Sequence, residues 1–168
     1  MSDFCVVGSG YPSRIEFLEQ VVWTGIDVGI AGNWPNLGID SPILKFLAHD
    51  QAVCCDNEWT AQLYAGTKAS VNLYRQESNR PELSEGWAMG PREVELAACG
   101  TFYLTEPRGE NRQVLPMVPT FTSPADFELQ LRWYLAHPKA RDEITRAARA
   151  AIADRTFTHH AGQLLAHL

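Results

Sequence analysis

The sequence predicts an α/β fold: a three-layer α/β/α sandwich around a mostly parallel sheet of roughly five or six strands. Three observations point there. Short apolar runs of strand type alternate with segments of helical periodicity along the whole chain. The first of them, strand, loop, helix and strand in succession, form a βαβ unit, which requires parallel strands with a helix covering one face. The length of 168 residues suits one compact core and one domain spanning residues 1–168.

The elements follow in order. Phe4-Cys5-Val6-Val7 reads as the first strand, Gly8 to Pro12 as a loop, and Ile15, Leu18, Val21 and Val22 as the apolar face of a helix. Ser13 with Glu16 has the spacing of a capping box, and Gly25 stands where such a helix would end. Ile26, Val28 and Ile30 alternate as a second strand. Residues 33–50 are mainly loop, Gln51 to Cys55 a third strand, Asn57 to Lys68 a short helix, and Ala69 to Arg75 a fourth strand. Residues 76–90 read as a mobile polar loop. Pro91 at a first helical position and Gly100 just past the end bracket a compact helix, followed by a strand over Thr101–Glu106. After a loop over 107–120, Ser123-Pro124 with Asp126 starts a helix that Pro138 interrupts; a strongly periodic helix and a terminal one complete the chain.

Composition removes several functions. Apolar residues make up 45% and charged ones 20%, the profile of a folding globular chain. The net charge of −6, with Lys and Arg scattered, lacks the basic stripe that nucleic acid requires. No run approaches the length of a membrane span, and no basic flank precedes the first apolar run, so a cytoplasmic location is expected. Cys5, Cys54, Cys55 and Cys99 form no C-x-x-C pair and the histidines form no ligand set, so no metal site is expected.

Gly8-Ser9-Gly10 after the first strand resembles half of a dinucleotide fingerprint, but Ser13 replaces its third glycine and no acidic residue ends the second strand. No P-loop sequence occurs. What remains is a small-residue loop leading into a helix, where free N–H groups and the positive dipole end favour anions, with Arg14 as a mobile cation. The same residues equally describe a tight strand-to-helix turn with an exposed arginine. A second helix start, Gly90-Pro91-Arg92-Glu93-Val94-Glu95, carries a cation in its first turn and Glu95 one turn on, while Glu93 points elsewhere. A carboxylate so placed accepts two hydrogen bonds from ribose hydroxyls, or simply complements the helix dipole.

The run PREVELAACGTFYLTE resembles the R-x-x-E-x-x-A-x-G-x-x-x-L-T-[DE] segment of the spore-maturation, CgeB-like glycosyltransferases. YAGTKASVNLYRQ is similar to that family's Y-x-x-[AT]-K-I-x-L-N-x-x-R element, and VVGSGYPSRIEFLEQV to its G-x-x-Y-x-x-R strand-loop-helix. Downstream, the helix through LRWYLAHPKARDEI and the RTFTHHAGQLL ending resemble the family's last segments, so the resemblance runs in order over nearly the whole chain.

That resemblance implies a Rossmann-like domain, one half of a GT-B fold, holding a nucleoside diphosphate sugar as donor without a metal or other cofactor. It assigns Glu95 to the ribose. Phosphate contacts fall on Arg92, Lys68 or Arg14 and on the backbone around Gly8, Ser9 and Gly10, with Tyr11 the motif tyrosine of that loop. It names no catalytic residue. The chain departs from the pattern at Trp87, where many retaining GT-B enzymes carry a second glutamate, and at Ala161, where the family has an arginine. The expected partner, beyond the nucleotide sugar, is the second, acceptor-binding GT-B domain, absent from 1–168, or another copy of the chain. A stand-alone nucleotide-binding or interaction module that keeps the half-fold is the alternative, because fold alone does not fix function.

Overall fold

The computed structural model describes residues 1–77 and 86–166, so most of the loop expected over 76–90 lies outside the described residues. The described chain is an α/β/α sandwich. Its strands are β1 (Ser2–Val7), β2 (Val28–Ala31), β3 (Thr67–Asn72) and β4 (Tyr103–Thr105). Its helices are α1 (Pro12–Glu19), α2 (Asn57–Ala65), α3 (Pro91–Cys99), α4 (Gly109–Val114), α5 (Pro124–Ala136), α6 (Pro138–Ala151) and α7 (Phe157–Leu165). All pairings are parallel, in the order β2-β1-β3-β4.

Four strands are fewer than the sequence predicts. The outer places survive only as single parallel bridges, Leu47 beside Ile30 and Thr120 beside Thr105. Counted with them, the order is that of a doubly wound sheet, 3-2-1-4-5-6. The strand expected at Gln51 to Cys55 does not form. Asp50 Oδ1 accepts from Ala52 N at 2.9 Å and turns the chain there, leaving Val53 47% exposed with nothing to bury it.

Alternation along the strands builds the two layers. Phe4 and Val6 of β1 and Ala69 and Val71 of β3 face α1 and α5, meeting Ile15, Leu18, Phe127 and Leu131. Cys5, Val7 and Tyr103 face the opposite layer, against Tyr64 of α2, Leu96 and Ala97 of α3 and Ala148 of α6. The connection β1-α1-β2 therefore lies on one face and β3-α3-β4 on the other. Right-handed crossovers on opposite faces mean that the chain reverses direction between β1 and β3, which is the topological switch point.

Helix starts follow local chemistry. Asp56 caps α2 by accepting from Trp59 N at 2.7 Å, and Ser123 caps α5 by accepting from Asp126 N at 3.1 Å. Pro91 opens α3, and Gly100, at φ 73°, closes it. The capping box expected at Ser13 and Glu16 is not used: the N-cap is Tyr11, two residues before Ser13, and Ser13 N donates instead to Glu77 Oε1 at 2.8 Å. Gly25 lies in a turn beyond the end of α1, not at its cap. Helix α4, within the expected loop, buries only Asn111, so its sequence carries no apolar period to reveal it.

Candidate functional site

Ligands of doubly wound sheets lie beyond the carboxyl ends of the strands at the switch point, here the exits of β1 and β3. Gly8 to Tyr11 leave β1 at that edge, and α3 starts there too. The two segments touch: the Arg92 guanidinium lies over Gly8, where an added Cβ would come within 2.7 Å of its Nη1. Gly10 leaves room for Trp34, whose ring would be 2.6 Å from a Cβ.

The loop's amides are largely spent internally. Gly8 N donates to Ala31 O (3.0 Å), Gly10 N to Asn33 O (2.8 Å) and Tyr11 N to Ser9 O (3.0 Å). The small residues thus pack this loop against the exit of β2 and offer an approaching anion few free donors. Arg14 is not the mobile cation expected from the sequence. Its Nε and Nη2 donate to Leu73 O at 3.1 and 2.7 Å, and its Nη1 donates to Ser9 O at 3.1 Å, so it ties the exits of β1 and β3 together. Burial, followed by repulsion from Arg92, lowers its pKa. Two guanidiniums therefore converge at the switch point, and among the described residues no carboxylate forms an ion pair with either. They border a small cavity with Gly8, Ser9, Trp34 and Leu73.

Glu95 stands one turn along α3 from Arg92, exposed and without a hydrogen bond among the described residues. Beneath this stretch of α3 Tyr64 is buried, its hydroxyl unpartnered and its pKa pushed up to about 12 by burial; Arg92 and Glu95 are near enough to pull that value in opposite directions. Tyr11 caps α1 and lies between two cations, its ring centre 5.1 Å from the guanidinium carbon of Arg14 and 4.5 Å from that of Arg75.

Lys68 does not join them. It occupies the amino end of β3, at the opposite edge of the sheet, with Nζ 2.7 Å from Asp3 Oδ1. Four residues of extended strand, Ala69 to Asn72, separate Lys68 from the strand's exit, and its ion pair with Asp3 holds it at the amino edge, away from Arg92.

The sequence missed two features. Arg75, just beyond β3 in the NLYR run, brings a third guanidinium to the edge. Glu93 is the centre of a buried polar network. Fully enclosed, it accepts from Tyr74 Oη (2.5 Å) and Gly90 N (2.9 Å) on Oε2, and from Asn111 Nδ2 (2.5 Å) and Thr105 Oγ1 (3.2 Å) on Oε1. Asn72 Nδ2 extends the network to Thr105 Oγ1 at 3.1 Å. The carboxylate locks the start of α3 to β4 and α4, and so fixes where Arg92 and Glu95 project. The N-x-x-R and L-T-[DE] runs contain Asn72 and Thr105, which was the only trace of this network in the sequence.

Among the described residues no three His, Cys, Asp or Glu side chains gather in a metal-binding group, and no helix is long and apolar enough to cross a membrane. A search of curated proteins finds no match. The model of a family described as glycosyl transferase-like matches residues 6–166, from within β1 to beyond α7. The match takes in the switch point, both faces of the sheet and every helix, and on that extent the chain belongs to the glycosyl transferase-like family, as a Rossmann-like α/β domain of the kind that forms half of a GT-B fold.

Proposed function

We propose that this domain binds the nucleoside diphosphate sugar donor of a CgeB-like, metal-independent glycosyl transfer, with the diphosphate at the switch point and the ribose on Glu95. The observation that carries the reading is the pair of guanidiniums, Arg14 and Arg92, converging beside the amino end of α3 with no carboxylate ion-paired to either among the described residues. Fixed positive charge and a helix dipole at one point stabilise the negative charge that develops on a departing diphosphate, the role a divalent cation plays elsewhere. Arg14, already held by two carbonyls, supplies field; Arg92, and Arg75 from the next loop, supply contacts. Glu95 then lies one helical turn from the phosphates, with both oxygens open to the vicinal hydroxyls of a ribose.

Calorimetric titration of the chain with a panel of nucleoside diphosphates tests this directly. Glu95→Gln should weaken binding by roughly ten- to a hundredfold, the usual cost of losing a hydrogen bond to a charged group. A dideoxyribose nucleotide should bind the unmodified chain poorly, and the variant should discriminate less between it and the parent nucleotide. Equal affinity of the unmodified chain for both would remove the ribose role of Glu95.

A further inference from the structure

The loop holding Trp87, Met89 and Gly90 has two flanks. On one stand Gly8, Arg92 and Glu95. On the other opens a cleft of about 630 Å³, a volume within the range that small ligands occupy, to which none of those three contributes. Its walls are aromatic and basic. Trp87 is 58% exposed and rests one edge on Gly109, where a Cβ would come within 2.2 Å of the indole. Arg108 stacks 4.3 Å above the ring of Tyr74, and Phe17 meets Phe121 across the floor with ring centres 5.3 Å apart. Arg112 projects from α4 with no hydrogen bond or ion pair among the described residues, while Thr122 and Ser123 bring hydroxyls from the approach to α5. In a chain of net charge −6, the described residues lining the cleft set two guanidiniums around one carboxylate, Glu106, a local excess of positive charge.

An open indole, hydroxyl and carboxylate hydrogen-bonding groups and an available guanidinium match a pyranose ring bearing an acid. The apolar C–H face of the ring packs on the aromatic, its hydroxyl edge takes the polar groups, and the acid pairs with arginine. We propose that this cleft is this domain's share of a saccharide site for the acceptor, completed by the second, acceptor-binding domain, and that it takes an anionic sugar, one carrying a carboxylate or a phosphate. As an acceptor site it rests on the donor reading above, since a single loop then separates the two substrates; its binding of sugar does not depend on nucleotide.

The test is an NMR titration of the isotope-labelled chain, without nucleotide, using glucuronate, glucose 6-phosphate and glucose. The indole N–H of Trp87 should shift with both acids at lower concentration than with glucose, and the stronger of the two distinguishes carboxylate from phosphate as the acid. Arg112→Gln should weaken both acids by about five- to twentyfold and leave glucose unchanged, while Trp87→Ala, followed through the backbone amides of Gly109 and Thr122, weakens all three. Arg112 is exposed on α4, so its variant keeps the test open should Trp87→Ala fold poorly. The proposal is overturned if no sugar shifts the Trp87 signal, if Arg112→Gln leaves the acids unaffected, or if inorganic phosphate alone reproduces the response to glucose 6-phosphate. It is also overturned if uridine diphosphate fills the cleft in place of the flank bearing Glu95. Nucleotide affinity, measured separately, fails or survives independently of these outcomes.

Discussion

Glu95 lies two positions beyond Glu93, which sets their side chains about 160° apart around α3, and their environments follow that angle. Glu95 meets solvent. Glu93 turns inward and is wholly buried, with both oxygens accepting two hydrogen bonds each. The sequence shows the angle, and so separates a ligand-facing from an inward carboxylate. It does not show that Tyr74, Thr105 and Asn111, distant in the chain, converge on the inward one, because no local period connects them. Glu93 points away from the proposed ligand, yet Glu93→Gln is not neutral for stability. An amide has one acceptor oxygen, and its NH2 would face two of the four donors that the carboxylate satisfies. Glu93→Gln should lower unfolding stability by about 2–4 kcal/mol in urea denaturation, because buried donors are left unpaired. At the same time the nucleotide affinity of the molecules that remain folded should fall less than in Glu95→Gln. A variant as stable as the parent would mean that the network is not a structural anchor.

Among the elements, those whose termini carry their own chemistry were legible. Pro91 and Gly100 bracket α3, Ser123 starts α5, and Asp56 lies just before α2, each a side-chain or backbone constraint contained within a few residues. Elements defined by distant partners were not. The start of α1 is set by Glu77, more than sixty positions away, and the exit of β2 is shaped by the loop after β1. Gly32 shows how close those exits are. Its φ is +104°, a Cβ on it would lie 2.2 Å from Gly8 O, and His49 Nε2 accepts its amide at 3.0 Å. Gly32→Ala should cost about 1–3 kcal/mol from the backbone conformation alone, with the clash against Gly8 O adding to it. It should also displace the loop beneath Arg92 and reduce nucleotide affinity. Gly38→Ala, where nothing lies within 4 Å and φ is ordinary, should be close to neutral under the same urea titration. Equal midpoints for the two variants would show that the β1 and β2 exits are not locked as described.

For the molecule as a whole, the alternation of strand and helix fixed the architecture, while the strand count failed at the sheet's margins. Leu47 and Thr120 hold the outermost places by one bridge each, too short a pairing to leave a period in the sequence. The sheet's carboxyl edge gathers Gly8, Arg92, Glu95 and Arg75 on one side of the 86–91 loop and the cleft of Trp87 and Arg112 on the other, so both proposed substrates are approached from a single surface. Transfer between them requires water to be kept from the reacting atoms, and a one-sided edge does not do that; a second wall has to close over it. We therefore expect chain 1–168 as a monomer to bind nucleoside diphosphates yet transfer sugar at a negligible rate. Mass spectrometric detection of glycosylated acceptor, run over a dilution series together with a measurement of oligomeric state, checks this. Turnover that rises with the square of chain concentration would identify the missing wall as a second copy. Turnover strictly proportional to chain concentration, from a species shown to be monomeric, would mean that the edge is complete by itself and would overturn the need for a closing partner.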